Sequence, residues 1–307
     1  MRIATFRHEG RVRTGAVEGE QVVPFAGDID MLEIIENGVG KRERDFPVPL
    51  KEVRLLAPLQ PASLRDFVAF EEHVEGVRRS IDGNAGVPDA WYDAPTFYFT
   101  NPHRIYGPDD SVPFPARSVN RDFELEVAAV IGPGQTIFGY TVLNDWSARD
   151  LQKREMQVSL GPAKGKDFAS SLGPWIVTAD ELEEHKRDGF LDLWCTATVN
   201  GTEIGRDLLG NMSWTFETMV AYAARDSRVV PGDVLGSGTV GNGGCLAELW
   251  GRNGRQDPPP LRDGDIVTLT VEGIGSLTNR IVSGGETPDL PRARRRDAAK
   301  ARAERQH

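Results

Sequence analysis

From about residue 55 onward the chain is a succession of short β-type runs with only occasional helical interruptions, and this excludes most folds of its size. The runs are FELEVAAVIG (123–132), IFGYTVLND (137–145), GPWIVTA (173–179), LDLWCTATVNG (191–201), DVLGSGTV (233–240), AELWG (247–251) and IVTLTVEGIGSLTNRIV (266–282). Each is brief, rich in β-branched or aromatic residues, and bounded by Gly, Asp or Asn, which is how a strand is punctuated. Helical patterns interrupt them at LRDFVAFEEHVEGVRRSI (64–81), WSARDLQKREM (146–156) and TFETMVAYAARDS (215–227). A doubly wound parallel sheet needs regular strand–helix alternation, and that is missing. The expectation is a β-rich α+β fold with helices around the sheets.

The first 45 or so residues read as a smaller β-rich unit, with strands at IATF and QVVPF and one short helix in DIDMLEIIENG. Prolines 47, 49, 58 and 61 mark a boundary. The expected division is a small N-terminal domain over 1–55, a main domain over 56–290 and a tail over 291–307. That tail holds seven Lys/Arg against two acids. With the whole chain at −10, the body carries −15. So acidic a body repels phosphate backbones, which argues against nucleic acid as a ligand. The tail lacks an apolar stripe and reads as a disordered end.

At 39 % hydrophobic and 27 % charged residues the chain builds a core and is not a disordered polymer. No run approaches the roughly 18 apolar residues of a membrane helix. The opening MRIATFRHEGRV alternates apolar and charged residues, unlike a signal or transit peptide, so the expected location is the cytoplasm. Two cysteines, Cys195 and Cys245, make neither a disulfide framework nor a zinc site. GSGTVG (236–241) fits a dinucleotide-binding pattern, but the following NGGCLAELWG reads as a strand where that fingerprint needs a helix. It is therefore expected to be a glycine-rich loop between strands.

The chemistry-bearing residues begin at Glu124 and Glu126. On a strand they share one face, while Phe123, Leu125 and Val127 take the other. Adjacent carboxylates repel unless something positive lies between them, and a divalent cation with oxygen ligands resolves the conflict. The alternative is a solvated acidic strand face. Asp145 ends an apolar strand and is either a helix N-cap or a third carboxylate of the same site. If the helix starts there, Arg149 and Gln152 follow on its face. Lys166 adds a cation in a glycine-flanked loop. His73 is either a packing residue or a base whose pKa is raised by Glu71, Glu72 and Glu75. Asp66 lies seven residues before it, either on the same helix or at the end of a preceding strand.

These residues, in the order FELEVAAVIGPG, FGYTVLNDWSARDLQ, GKDFASSLGPWIVT and DVLGSGTVG, resemble the fumarylacetoacetate hydrolase family over about residues 60–285. The resemblance implies a mixed β-roll or barrel core with peripheral helices. It implies a divalent metal, Mg²⁺ or Ca²⁺ with Mn²⁺ as a further option, held by Glu124, Glu126 and Asp145, with Asp66 as an additional ligand. It makes His73 the water-activating base, oriented by Glu248. Arg149, Gln152 and Lys166 stabilise substrate charge, Thr239 binds substrate, and Tyr98 or Asn101 faces the site. Met156 departs from the tyrosine carried by fumarylacetoacetate-cleaving members.

The implied reaction is hydrolytic cleavage of a carbon–carbon bond in a β-diketo acid of fumarylacetoacetate or acylpyruvate type. Two rivals remain: an isomerase or decarboxylase of unsaturated 2-oxo diacids from aromatic-compound breakdown, and a non-catalytic metal-stabilised binding protein. A small oxo-acid as the ligand, no membrane partner and a homodimer complete the expectation. A lid in the stretch from Glu71 to about Pro113 is also expected, since the reaction is water-sensitive, with part of it (80–93) mobile until a ligand binds.

Overall fold

The computed structural model describes residues 1–39, 42–43, 46–83 and 86–305. Its principal strands are β1 (Arg2–His8), β2 (Arg11–Glu18), β3 (Gln21–Pro24), β4 (Leu64–Phe67), β5 (Phe97–Thr100), β6 (Ser111–Phe114) and β7 (Leu125–Ile131). They continue with β8 (Ile137–Asn144), β9 (Ser170–Thr178), β10 (Trp194–Val199), β11 (Thr202–Leu208), β12 (Val234–Gly236), β13 (Ile266–Val271) and β14 (Gly275–Ser283). The helices are α1 (Met31–Asn37), α2 (Glu71–Asp82), α3 (Arg149–Met156), α4 (Phe216–Ala224), α5 (Leu246–Asn253) and α6 (Ala298–Ala303).

Two sheets carry the fold, and the class is the β-rich α+β expected. A twelve-stranded sheet runs β3–β2–β1–β9–β8–β7–β12–β4–β5, extended by three two-residue strands. A five-stranded sheet runs β11–β10–β13–β14–β6. Among the described residues the large sheet has free edges, so of the β-roll or barrel implied by the resemblance no closed barrel is formed. Its β1 pairs antiparallel with β9, which joins the first 55 residues to the main sheet.

Strand β7 sits between two cores. Leu125, Val127, Ala129 and Ile131 face a core shared with Cys195, Leu269 and Leu277 of the five-stranded sheet. Ala128 and Val130 face a second core with Ile3, Leu64, Leu143 and Leu172. Each such valine, leucine or isoleucine side chain contributes roughly 1.5–3 kcal/mol on burial. That offsets the cost of the charged groups at the start of the same strand.

Local sequence explains the helix ends. Asp30 and Glu33 form a reciprocal capping box at α1, and Thr215 caps α4. The left-handed Gly83 and Gly254 terminate α2 and α5. AELWG, expected as a strand, lies within α5: Leu246, Ala247 and Trp250 bury one helical face, and Cys245 caps its start. The run 64–81 splits into β4, a short connection and α2. The glycine-rich 237–245 loop therefore joins a strand to a helix and not two strands, and the helix starts only after the last glycine pair. The tail, expected without structure, carries the exposed α6 with Asp297 accepting from two of its amides. No helix among the described residues is long and apolar enough to cross a membrane.

Candidate active site

Neighbouring strands place one row of groups across the large sheet. Leu125 pairs with Asn144, which sets Glu124 beside Asp145. Ala128 pairs with Gly236, Gly236 with Asp66, and Asp66 with Tyr98. The row so formed brings carboxylate oxygens of Asp66, Glu124, Glu126 and Asp145 within 4.8 Å of one another. All four side chains are buried, so the solvated-face alternative for Glu124 and Glu126 is overturned. Gly236 makes the gathering fit. A Cβ there would lie 2.6 Å from Asp66 Oδ1 and 2.8 Å from Glu126 Oε2. Expected from sequence to begin a glycine-rich loop, Gly236 is instead the last residue of β12.

Two buried cations face the carboxylates. Lys166 Nζ donates to Glu124 Oε2 and, at 2.6 Å, to Asp145 Oδ2. Arg149 Nη2 donates to Glu124 Oε1 at 2.7 Å, and its Nη1 to Gln152 Oε1 at 3.1 Å. Tyr98 donates to Asp145 Oδ2 at 2.5 Å, and Thr239 to Glu126 Oε1 at 3.4 Å. Asn101, the alternative to Tyr98, donates elsewhere, to the Asp167 carbonyl. Helix α3 starts at Arg149, so Asp145 is not its N-cap and does not share its face.

A fifth buried acid, Asp122, went unnoticed in the sequence. It accepts from Arg149 Nε at 2.8 Å and from the Leu246 and Ala247 amides that open α5. It thereby fixes the arginine and satisfies a helix terminus together. Its only signal was position, in RDFELE beside the paired glutamates.

The electrostatics are unbalanced. Burial raises the Asp66 and Glu126 pKa values well above their ordinary values; Asp145 raises Asp66 further while Glu126 lowers it, and Asp66 and Asp145 both raise Glu126. Burial also raises Asp145, against the pull of Lys166. Glu124 is the exception: burial opposes its charge, but Arg149 and Lys166 hold its pKa well below the ordinary value. Among the described residues no donor reaches Asp66 Oδ1, Glu126 Oε2 or Asp145 Oδ1. Three orphaned oxygens on a cluster with surplus acid fit a hard divalent cation.

Asp66 and Glu124 of the cluster line a cavity of about 290 Å³ that His73, Arg149, Gln152, Lys166 and Thr239 also line. Asp66 sits on β4 and His73 in the first turn of α2, which resolves their relation: strand first, then helix. His73 Nε2 lies 3.8 Å from Glu124 Oε1, and its Nδ1 faces Cys245 Sγ at 3.7 Å. The expected rise in its pKa is overturned. Burial lowers it to about 4, with Arg149 and Lys166 adding to the effect of desolvation. Glu71 and Glu72 are solvent-exposed and Glu75 is half-buried, and none of the three counters that burial.

Glu248 does not hydrogen-bond to His73. It accepts from the Gly243 amide at 3.2 Å and pairs with Arg252 at 2.5 Å. Burial pushes its pKa up to about 7. Helices α2 and α5 nevertheless cross closely: a Cβ on Gly76 would lie 2.5 Å from Glu248 Cγ, and one on Gly251 only 2.0 Å from the Gly76 carbonyl. Within the expected lid, Trp91 is buried in the cavity wall and donates to the Val68 carbonyl at 2.7 Å. Residues 84 and 85 of that segment lie outside the described residues.

Fold and site together define a protein with a buried carboxylate cluster at the floor of a cavity. The chain belongs to the fumarylacetoacetate hydrolase family: residues 63–282 match its C-terminal domain. Residues 1–58 match a second family, described as Rv2993c-like, N-terminal. A fumarylacetoacetase of Arabidopsis thaliana is 30 % identical, over 76 % of this chain and 72 % of its own. A solved 5-carboxymethyl-2-hydroxymuconate delta-isomerase from Mycobacterium smegmatis superposes with a TM-score of 0.68 at 27 % identity, covering 92 % of this chain and 100 % of its own. A maleylpyruvate hydrolase from Sphingobium, solved with manganese(II) and pyruvate, shares the fold with a TM-score of 0.66 at 22 % identity, covering 93 % and 100 %. Hydrolases and isomerases thus both occur among its relatives.

Proposed function

We propose that the protein is a divalent-metal-dependent hydrolase that cleaves the carbon–carbon bond of a β-diketo acid, of acylpyruvate or fumarylacetoacetate type. The observation that carries this reading is the buried His73 in a cavity that Asp66 and Glu124 of the four-carboxylate cluster line together with the fixed cations Lys166 and Arg149. Asp66, Glu124, Glu126 and Asp145 would hold the cation, Mg²⁺, Ca²⁺ or Mn²⁺, which when bound supplies Lewis acidity toward substrate oxygens.

The chain's own residues do the rest. His73 accepts a proton from water, and the hydroxide adds to the distal carbonyl. The bond between that carbonyl carbon and the methylene breaks, and its electron pair passes to the 2-oxo fragment as an enolate. Lys166 and Arg149 are cationic and held in place by Glu124, Asp145 and Asp122, so they offset the developing charge without reorganising. Return of the proton from His73 to carbon gives two acids.

The Mycobacterium isomerase favours a second reading, proton transfer within an unsaturated 2-oxo diacid, which needs no nucleophilic water. Product analysis by NMR on an acylpyruvate with added Mg²⁺ or Mn²⁺ tests the proposal. Two acids are expected, and His73→Ala should lower kcat by roughly 10²–10⁴-fold with metal affinity unchanged. An isomer or CO₂ as sole product, or full hydrolysis by folded His73→Ala, would refute it.

A further inference from the structure

We infer that the site takes a 2-oxo acid whose far end is an uncharged hydrocarbon, so that its substrates are acylpyruvates with apolar acyl groups and not dicarboxylates. This rests on the oxo-acid reading above and adds which member of that class fits.

The cavity has two chemically distinct halves. Its floor is the polar row already described. Its outer wall is Val74 and Val77 of α2, Pro88, Trp91, Met156 of α3 and Pro162. Helix α3 shows the change along one stripe. Arg149, Gln152 and Met156 all line the cavity, and at 1.5 Å per residue they span about 10 Å from floor to mouth. Helix α2 does likewise, with His73 inside and Val77 one turn further out.

Among the described residues that line the floor, each cation is already engaged by carboxylates. Lys166 is engaged by Glu124 and Asp145, and Arg149 by Asp122 and Glu124. The outer wall contains one cation among the described residues, Arg78. Its Nη1 donates to the Gly86 carbonyl at 2.5 Å, tying α2 to the segment that follows it. On α2 and the 89–91 turn, Glu71, Glu72, Glu75 and Asp89 outnumber Arg78 and Arg79, so these elements offer an anionic tail no net positive charge. A carboxylate among valine, tryptophan and methionine side chains loses its hydration without a partner, whereas an alkyl chain gains from the same surroundings.

The test is calorimetric binding of 2-oxooctanoate and 2-oxooctanedioate to the full chain with Mn²⁺ added, with oxalate and pyruvate as references. The monoacid should bind at least about tenfold tighter than the diacid. Met156→Lys, at a half-exposed position, should shrink that gap at least about fivefold while oxalate affinity holds. A diacid bound as tightly as the monoacid, or 2-oxooctanoate bound no tighter than pyruvate, would overturn the inference. Tight monoacid binding without cleavage of an acylpyruvate bearing the same apolar tail would refute the hydrolase reading and leave this one standing. Failure to bind even oxalate would refute both.

Discussion

Replacing Glu248 by glutamine should change how stability depends on pH, in a direction fixed by its burial. The side chain is fully buried and its pKa is raised from 4.5 to about 7, first by desolvation, with Glu72 adding and Arg252 and the Gly243 amide opposing. In the unfolded chain the group loses its proton near the ordinary value, and in the folded chain only near 7. The unfolded state therefore binds fewer protons between these limits, and stability falls as pH rises through the window. Below pH 4.5 the contribution is intact, and above 7 it is lost. The shift corresponds to about 3 kcal/mol. Denaturant unfolding of wild type and Glu248→Gln at pH 4.5, 6, 7 and 8, with chelator present, isolates this group because every other titration cancels in the difference. The variant should gain about 3 kcal/mol relative to wild type from pH 4.5 to 8. Parallel curves, or a relative loss toward alkaline pH, would refute the argument that burial outweighs the Arg252 pairing.

Three further outcomes are expected. Gly236→Ala places a Cβ against Asp66 and Glu126, so the rise in melting temperature on adding Mn²⁺ should disappear, and stability should drop by roughly 1–3 kcal/mol. Glu126→Gln removes an acid whose charge Asp66, Asp145 and Glu124 all oppose; the chelated protein should melt higher than wild type, with its response to Mn²⁺ lost. Asp122→Ala strips Arg149 of a partner and leaves two amides of α5 uncapped, costing about 3–5 kcal/mol by denaturant unfolding and more in kcat than in oxalate affinity.

The paired glutamates were legible because a strand's period of two is rigid: Glu124 and Glu126 had to share a face whatever the rest of the chain did. The convergence of Asp66 and Asp145 on them is set by strand order across the sheet, which no local pattern encodes, and was available only through family resemblance. CLAELWG was misread because a short apolar run fits a buried strand and a buried helix equally well; the deciding features were Asp122, distant in sequence, and Gly254 just past the end. His73 was judged by its sequence neighbours Glu71, Glu72 and Glu75, but on a helix these point away from the cavity, and burial set its pKa instead. Gly236 was read only as part of a glycine-rich loop, for a simpler reason. A residue that matters through the space it leaves empty has no chemistry of its own to read.

The separation between sheet floor and helical wall has a consequence for how such a protein diversifies. The carboxylate row is fixed by hydrogen-bonded strands between two cores, where a single methyl group at Gly236 collides with two of its members. Met156 closes the last turn of α3 and is 44 % exposed, so a new side chain there disturbs neither core. Mutations that change what the cavity admits are therefore cheap in folding free energy, while those that crowd the carboxylate row or strip its arginine of a partner are costly. Under selection, a lineage built this way drifts in diet before it drifts in reaction.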